Sequence, residues 1–262
     1  MDKTTEQNNK VIITGLSGNI GYILYAGLNG KWGISGIDIK ESKELPVSIG
    51  DISKYNSIEN TFDGAYAVIH LAANAYAGAD WEKVFGPNII GTQNVFRAAR
   101  ESRVKKIIFA SSNHVTGLYE KDEPYRSIVN GHYTNLNPAD IPQIDHTVPV
   151  RPDGYYGTSK IFGEALGRYY SEEYGIQVFC IRLGSVSRND RPFDIRQYAT
   201  LFMHSDLVTL IDRCLENNSL SYGIFYGVSN NMWKFWDTSY IKDCLRWEPE
   251  ENAEKFRKAD YR

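Results

Sequence analysis

The 262-residue chain has little cysteine, no excess of basic charge and no long apolar run, and each shortage excludes a class of protein. Its 3 cysteines, Cys180, Cys214 and Cys244, are far apart and away from histidines, so the sequence indicates neither a disulfide framework nor a metal site. A formal net charge of -3, with both signs interspersed, provides no basic stripe for nucleic acid. No apolar run is long enough to cross a bilayer, so we expect no membrane association.

The N-terminal segment also lacks the apolar stretch of a signal peptide. Residues 1–9 are polar and charged, and we expect them to form a frayed tail before the first strand. Together with the scarcity of cysteine, these features predict a cytoplasmic protein in a reducing compartment. The length suits one compact domain.

Short apolar runs rich in β-branched residues predict buried parallel strands. These runs are Val11–Thr14, Ile34–Ile39, Ala67–Leu71, Lys106–Ala110 and Val178–Leu183. Stretches with helical character alternate with them, namely Ile20–Leu28, Ile58–Phe62, Asn88–Ser102 and Tyr156–Tyr174. The alternation predicts an α/β fold of the Rossmann type, a doubly wound parallel sheet with helices on both faces.

The segment 119–152 interrupts this alternation. It is polar, rich in proline and without a sustained period, so it is typical of a long loop leading into the last of these helices. Long loops inside compact domains are often functional. Two interpretations stay open, a flap on the substrate side and a surface decoration.

A glycine-rich turn, Gly15-Leu16-Ser17-Gly18-Asn19-Ile20-Gly21, follows the first strand. Glycine permits a close backbone approach, and the N-terminus of the next helix offers free N–H groups to a pyrophosphate. About twenty positions later, Asp38 ends the second strand, where a carboxylate binds ribose hydroxyls and repels a 2′-phosphate. We therefore expect NAD rather than NADP as cofactor.

A dinucleotide on this sheet would run along the strand ends. The candidate cofactor-binding residues are Gly15, Gly18, Asn19, Ile20, Gly21, Asp38, Asp51, Ile52, Leu71, Ala72, Ala73, Asn88, Ser111, Tyr156 and Lys160.

Tyr156 and Lys160 stand four residues apart in a predicted helix and therefore share one face. A free tyrosine titrates near pH 10 or so, and a nearby ammonium favours the phenolate. The pair can therefore serve as a general base toward a bound substrate. The spacing is weak evidence by itself, and it gains weight from the glycine turn and Asp38 upstream.

With the glycine turn, Asp38, Ala110–His114 and the Tyr156/Lys160 pair in this order, the chain resembles the extended short-chain dehydrogenase/reductase superfamily, of the NAD-dependent epimerase/dehydratase type. The resemblance implies three catalytic residues: Ser112 hydrogen-bonds the reacting oxygen, Tyr156 is the acid/base, and Lys160 holds the nicotinamide ribose and lowers the tyrosine pKa. It implies one domain over 1–262, with 10–180 mainly NAD-binding and 181–262 a small C-terminal substrate-binding portion. It also implies a homo-oligomer.

Further motifs resemble the uronate dehydrogenases and related archaeal NAD-dependent sugar dehydrogenases. These motifs are Ser111–His114, Arg151–Gly154, Arg182–Ser185, Phe202–Asp206 and Leu245–Pro249. The resemblance implies that Asn113 and His114 contact a sugar and that Arg196 binds its carboxylate. The candidate substrate-binding residues are Ser112, Asn113, His114, Tyr156, Ser185 and Arg196.

The expected reaction is the oxidation of a cyclic sugar at C1 to a lactone, with a hexuronate as substrate. Departures from the uronate dehydrogenase pattern at 74–82 and in the longer 119–152 segment are similar to archaeal enzymes that oxidise glucose 6-phosphate or other aldoses, which stay the alternative. A nucleotide-sugar epimerase or dehydratase is a second enzyme class. A dinucleotide-sensing regulator is a third class, although such proteins often lack the Tyr/Lys pair.

We also expect places in the fold for His70 and for His204, the latter within the Phe202–Asp206 motif. His70, inside an apolar run, is expected to be a core histidine. For His204, a place near the pocket and a place in the core stay open.

Overall fold

The computed structural model describes residues 9–257, and these contain one sheet of seven parallel strands. The strands are β1 Lys10–Thr14, β2 Gly33–Asp38, β3 Val47–Ile49, β4 Ala67–His70, β5 Lys106–Ser112, β6 Gln177–Leu183 and β7 Tyr222–Gly227. Their spatial order is β3-β2-β1-β4-β5-β6-β7, so the winding direction reverses between β1 and β4. The predicted Rossmann-type doubly wound sheet is confirmed. The predicted tail lies outside the described residues except for Asn9, whose carbonyl accepts a hydrogen bond from Gly33.

The α-helices alternate with the strands on both faces of the sheet. They are α1 Asn19–Leu28, α2 Trp81–Val84, α3 Gly91–Glu101, α4 Tyr125–Val129, α5 Tyr155–Tyr174, α6 Gln197–Thr200, α7 His204–Glu216 and α8 Ser239–Leu245. A π-helix, Phe85–Ile90, joins α2 to α3. Within 9–257, no helix combines the length and the apolar character needed to cross a membrane.

Successive side chains of the central strands enter two different apolar layers. In β1, Val11 and Ile13 pack with α1 and α7 on one face, while Ile12 packs with α3 on the other. Because both faces are covered by helices, these strands are apolar throughout rather than alternating with polar residues. This arrangement explains why short continuous apolar runs marked the strands in the sequence.

The predicted helix 58–62 is wrong. The chain makes hydrogen-bonded turns there, with Ile58 and Phe62 both buried in the apolar layer beside α3. Two apolar residues four apart imitate a helical face, but here both anchor a short irregular connection between β3 and β4.

The segment 119–152 is irregular over most of its length, as predicted, but it is not a simple polar loop. The segment contains α4 and packs Tyr125, Ile128 and Ile144 against Trp233 and Trp236 of the chain after β7. The Ile144 N–H donates to the Phe235 carbonyl at 2.7 Å, and the Asp237 N–H donates to the Ile144 carbonyl at 3.0 Å. The segment and the C-terminal portion therefore share a second core.

Candidate active site

The carboxyl ends of the central strands open onto a cleft of about 750 Å³. Gly15 has a φ of +79°, and a Cβ on it would lie 2.9 Å from the Ala72 nitrogen, so only glycine fits this turn without strain. Gly18 is the N-cap of α1 and supplies no side-chain cap, which leaves N–H groups at the helix start for an anion. The turn therefore fits the pyrophosphate of a dinucleotide.

Asp38 lies at the end of β2 and forms part of the cleft wall. Its Oδ2 accepts a hydrogen bond from the Ser17 N–H at 3.0 Å, and its Oδ1 accepts one from the Lys40 N–H at 3.1 Å. These backbone contacts fix the orientation of the carboxylate. A carboxylate held in this place suits ribose hydroxyls better than a 2′-phosphate.

His70 supports the same wall from inside the sheet and is a core histidine, as expected. Its ring nitrogens contact the hydroxyls of Thr14 at 2.7 Å and Thr92 at 3.1 Å, and burial lowers its pKa to about 3. The Thr14 hydroxyl in turn accepts a hydrogen bond from the Ala72 N–H at 3.2 Å. A neutral imidazole thus positions the chain that leaves β4.

Tyr156 and Lys160 lie in the first turns of α5 and face the cleft together with Ser112 from the end of β5. The Lys160 Nζ lies 5.6 Å from the Tyr156 ring centroid and donates to the Ala110 carbonyl at 2.7 Å. The approach of α5 to the chain that leaves β5 depends on glycine, since a Cβ on Gly157 would collide with the carbonyl oxygen of His114. A second glycine of the helix, Gly163, lies against the Phe109 ring in the same way.

Burial dominates the titration of both residues. It raises the pKa of Tyr156 above its usual value, against a smaller opposite effect of the Ser112 side chain, and it lowers the pKa of Lys160 to about 7. The net shift of the Tyr156 pKa is thus opposite to the one that the sequence led us to expect. The reason is that desolvation disfavours the phenolate and also weakens the charge of its lysine neighbour.

Asn113 and His114 continue the cleft beyond Ser112. Asn113 is 3% exposed, and its Nδ2 has no hydrogen-bond partner among the described residues. A buried donor left unpaired costs about 1–3 kcal/mol, so this amide indicates a ligand oxygen. The His114 Nδ1 lies 2.6 Å from Asp153 Oδ2, and its ring lies edge-on to Tyr156 at 5.7 Å between centroids. With Nδ1–H donating to Asp153, the His114 Nε2 is left as an acceptor for a hydroxyl.

Most candidates from the sequence lie together on the cleft wall. These are Gly15, Gly18, Asn19, Ile20, Gly21, Asp38, Asp51, Ile52, Leu71, Ala72, Ala73, Ser111, Ser112, Asn113, His114, Tyr156, Lys160 and Ser185. Two candidates, Asn88 and Arg196, lie behind the wall. For all of these residues, contact with cofactor or substrate stays a prediction. His204 lies away from the cleft as well, with its Nε2 2.8 Å from the Ser187 carbonyl oxygen.

Asn88 connects the cleft wall to α5. Its side chain contacts the backbone N–H of Asn74 at 2.8 Å, the Asn74 carbonyl at 3.1 Å and the Ser159 hydroxyl at 2.9 Å. Because Asn74 lines the cleft, Asn88 holds the wall against the helix that carries Tyr156.

Arg196 forms an ion pair with Glu120, at 2.7 Å from Nε to Oε2 and 2.6 Å from Nη2 to Oε1. Its Nη1 donates to the Ser185 hydroxyl at 3.3 Å. The sequence reasoning missed Glu120 and Asp153. Asp153 carried a signal, since it stands just before α5 in the Arg151–Gly154 motif, whereas Glu120 lies 76 positions from its partner and carried none.

Comparisons with known proteins extend over nearly the whole chain. The profile of the family described as "NAD dependent epimerase/dehydratase family" matches residues 11–221. A uronate dehydrogenase from Pseudomonas putida is 32% identical over 98% of this chain and 89% of its own. An NAD-dependent glucose-6-phosphate dehydrogenase from Haloferax volcanii is 30% identical over 94% of this chain and 95% of its own. The crystal structure of uronate dehydrogenase from Agrobacterium tumefaciens has a TM-score of 0.80 at 28% identity, covering 95% of this chain and 87% of that one.

Proposed function

The chain belongs to the NAD dependent epimerase/dehydratase family, and we propose that it is an NAD-dependent dehydrogenase that oxidises a hexuronate at C1 to the lactone. The observation that carries the proposal is the unpartnered amide of Asn113 beside Ser112 and Tyr156, in a cleft that also holds a pyrophosphate-binding turn. Relatives named uronate dehydrogenase support the choice of sugar.

Four residues of the cleft have a role in this reaction. Bound NAD would supply the acceptor for the hydride of C1. As C1 is oxidised, Tyr156 accepts the proton of the anomeric hydroxyl; it does so as the phenolate, which its raised pKa makes the minor form. The Ser112 hydroxyl donates a hydrogen bond to the anomeric oxygen of the sugar and stabilises the negative charge that develops on it. Asn113 Nδ2 donates to a sugar oxygen and His114 Nε2 accepts from a sugar hydroxyl, which fixes the ring for transfer.

A second candidate function is the oxidation of a neutral aldose. It is favoured by the Glu120 carboxylate, which occupies the guanidinium of Arg196 that would otherwise bind a sugar carboxylate. A relative named NAD-dependent glucose-6-phosphate dehydrogenase and one named L-arabinose 1-dehydrogenase are consistent with a wider range of sugars.

The test is NADH formation with a panel of D-glucuronate, D-galacturonate, D-glucose, L-arabinose and glucose 6-phosphate, each with NAD or NADP. We expect net NADH formation with NAD and a uronate. Tyr156→Phe should lower kcat by about 10²–10⁴-fold while NADH affinity, measured by fluorescence, stays at the wild-type value.

Tyr155→Phe is the matched control, because Tyr155 is the preceding residue of α5 and is 54% exposed. It should keep wild-type turnover. Isomerisation of a nucleotide-linked sugar without net NADH, and with no reaction of any free sugar, would overturn the proposal in favour of an epimerase.

A further inference from the structure

Glu120 and Arg196 form a bidentate and mostly buried ion pair. The two carboxylate oxygens of Glu120 accept from Nε and Nη2 along one edge of the guanidinium, at 2.7 and 2.6 Å, and the side chains of Glu120 and Arg196 are only 15% and 27% exposed, respectively. Glu120 lies in the 3₁₀-helical segment Asn113–Lys121 that follows β5, and Arg196 stands directly before α6. Bidentate pairs of this kind are among the strongest charge-assisted contacts in proteins.

The pair lies next to the sugar end of the cleft. The remaining guanidinium nitrogen, Nη1, donates to the hydroxyl of Ser185, and Ser185 is a cleft residue. On the other side, Asp153 binds the cleft residue His114. Burial alone would lower the pKa of Arg196, but Glu120, with Asp194 and Asp153 in support, raises it.

The charges around this end of the cleft therefore do not favour an anion. The guanidinium of Arg196 contacts the carboxylate of Glu120, and the charges of Asp194 and Asp153 also stabilise its charged form. Glu120 already occupies the Nε/Nη2 edge of the guanidinium and Ser185 accepts from Nη1, so a uronate must displace Glu120 or share Arg196 with it. A neutral sugar encounters no such competition.

We propose that Glu120 sets the selectivity of this site between acidic and neutral sugars by competing with the substrate for Arg196. The inference rests on the proposed function in two respects, that the cleft binds a sugar and that Arg196 is the group that would bind a sugar carboxylate. Glu120 is thus a specificity-determining residue: while its carboxylate holds Arg196, the affinity for acidic sugars is lower than it would be with Arg196 free.

Glu120→Gln tests the proposal, because it keeps the side-chain size and removes the competing charge. The ratio of kcat/KM for D-glucuronate to kcat/KM for L-arabinose should rise by about tenfold or more, through KM of the uronate. An unchanged or lower ratio overturns the proposal. The gain should vanish in the double variant Glu120→Gln, Arg196→Gln.

Glu254→Gln is the matched control. Glu254 forms the same bidentate pair with Arg257, at 2.6 and 2.7 Å, and neither residue lines the cleft. Glu254→Gln changes the net charge by the same amount as Glu120→Gln, so the ratio of kcat/KM for D-glucuronate to kcat/KM for L-arabinose should stay at the wild-type value. Should Glu120→Gln fail to fold in a thermal unfolding scan, Glu120→Asp, one methylene shorter, should raise the ratio by a smaller factor.

Binding of D-glucuronate to the complex with NADH, measured by calorimetry, separates this inference from the proposed function because it needs no turnover. Tighter binding to Glu120→Gln than to Glu254→Gln supports the role of Glu120, even if no sugar reduces NAD and the proposed function fails. Equal binding, or none, overturns it whatever the turnover.

Discussion

The buried imidazole of His70 links one residue to the acid stability of the fold. Its pKa of about 3 in the folded protein lies below the ordinary value of 6.5, because burial disfavours the charged form. Between these values the unfolded chain binds more protons, so the residue lowers the free energy of unfolding as pH falls from 6.5 toward 3. The contribution reaches about 1.4 kcal/mol per pH unit.

The variant His70→Gln keeps polar side-chain atoms that can hydrogen-bond the hydroxyls of Thr14 and Thr92. Its amide does not titrate in this pH range, so it takes up no proton on unfolding. The free energy of unfolding, measured in urea between about pH 6 and pH 4, should therefore fall less steeply than in the wild type. His132→Gln, at an exposed position, should keep the wild-type slope. Equal slopes in all three proteins would contradict the role of His70.

At the residue scale, the sequence was informative where local chemistry decides the role. The glycines of the first turn, Asp38 and the Tyr156/Lys160 pair all lie on the cleft, because short spacing along one strand or helix places them there. Arg196 could not be placed in the same way. Its immediate partner, Glu120, comes from another part of the chain, and only the tertiary structure brings the two together.

At the scale of elements, α5 is tied to the sheet by a buried ion pair. Glu164 of α5 accepts from Arg182 of β6 through Nε and Nη2, both at 2.9 Å, and from the Ser111 hydroxyl of β5 at 2.6 Å. Glu164→Gln leaves the buried guanidinium without its counter-charge. The free energy of unfolding in denaturant should fall by about 3–5 kcal/mol.

The same helix offers a control. Glu172 pairs with Arg168 at 3.2 Å, and both side chains are more than half exposed, so Glu172→Gln should change the free energy of unfolding by less than about 1 kcal/mol. Similar small losses in both variants would mean that the buried pair does not hold α5 to the sheet.

The elements that the sequence did not predict share a physical reason. The edge strand β3 has three residues without a buried side chain, and β7 is interrupted by Gly223, so neither forms an apolar run. The segment 119–152 lacked a period because its apolar residues pack on Trp233 and Trp236, far along the chain, rather than along one face of its own. Strands covered on both faces were predicted well, since every residue of such a strand is buried and the sequence shows a continuous apolar run.

At the scale of the whole molecule, the C-terminal segment depends on one carboxylate of α7. Asp206 is 3% exposed and accepts from the Ser229 hydroxyl at 2.6 Å and from the N–H groups of Glu250 and Glu251 at 2.9 and 3.2 Å. Asp206→Ala should release the segment 229–251 by local unfolding. Hydrogen exchange followed by mass spectrometry should show faster exchange there, with β1 to β5 unchanged.

Asp212→Asn, on the same helix but facing Lys31, should leave the exchange of 229–251 at the wild-type rate. Faster exchange throughout the chain in Asp206→Ala would mean instead that the carboxylate stabilises the fold as one unit.

The close approach of Gly163 to β5 and of Gly157 to the chain that leaves it has a consequence for laboratory evolution. The interface at these two glycines determines both the packing of α5 and the position of Tyr156. A library randomised there and screened only for NADH production would therefore lose variants because they do not fold, and not only because their chemistry has changed. Random substitutions are better introduced in the segment 119–152, where Glu120 can change without a substitution at either glycine. New sugar preferences can then be selected there while α5 is kept constant.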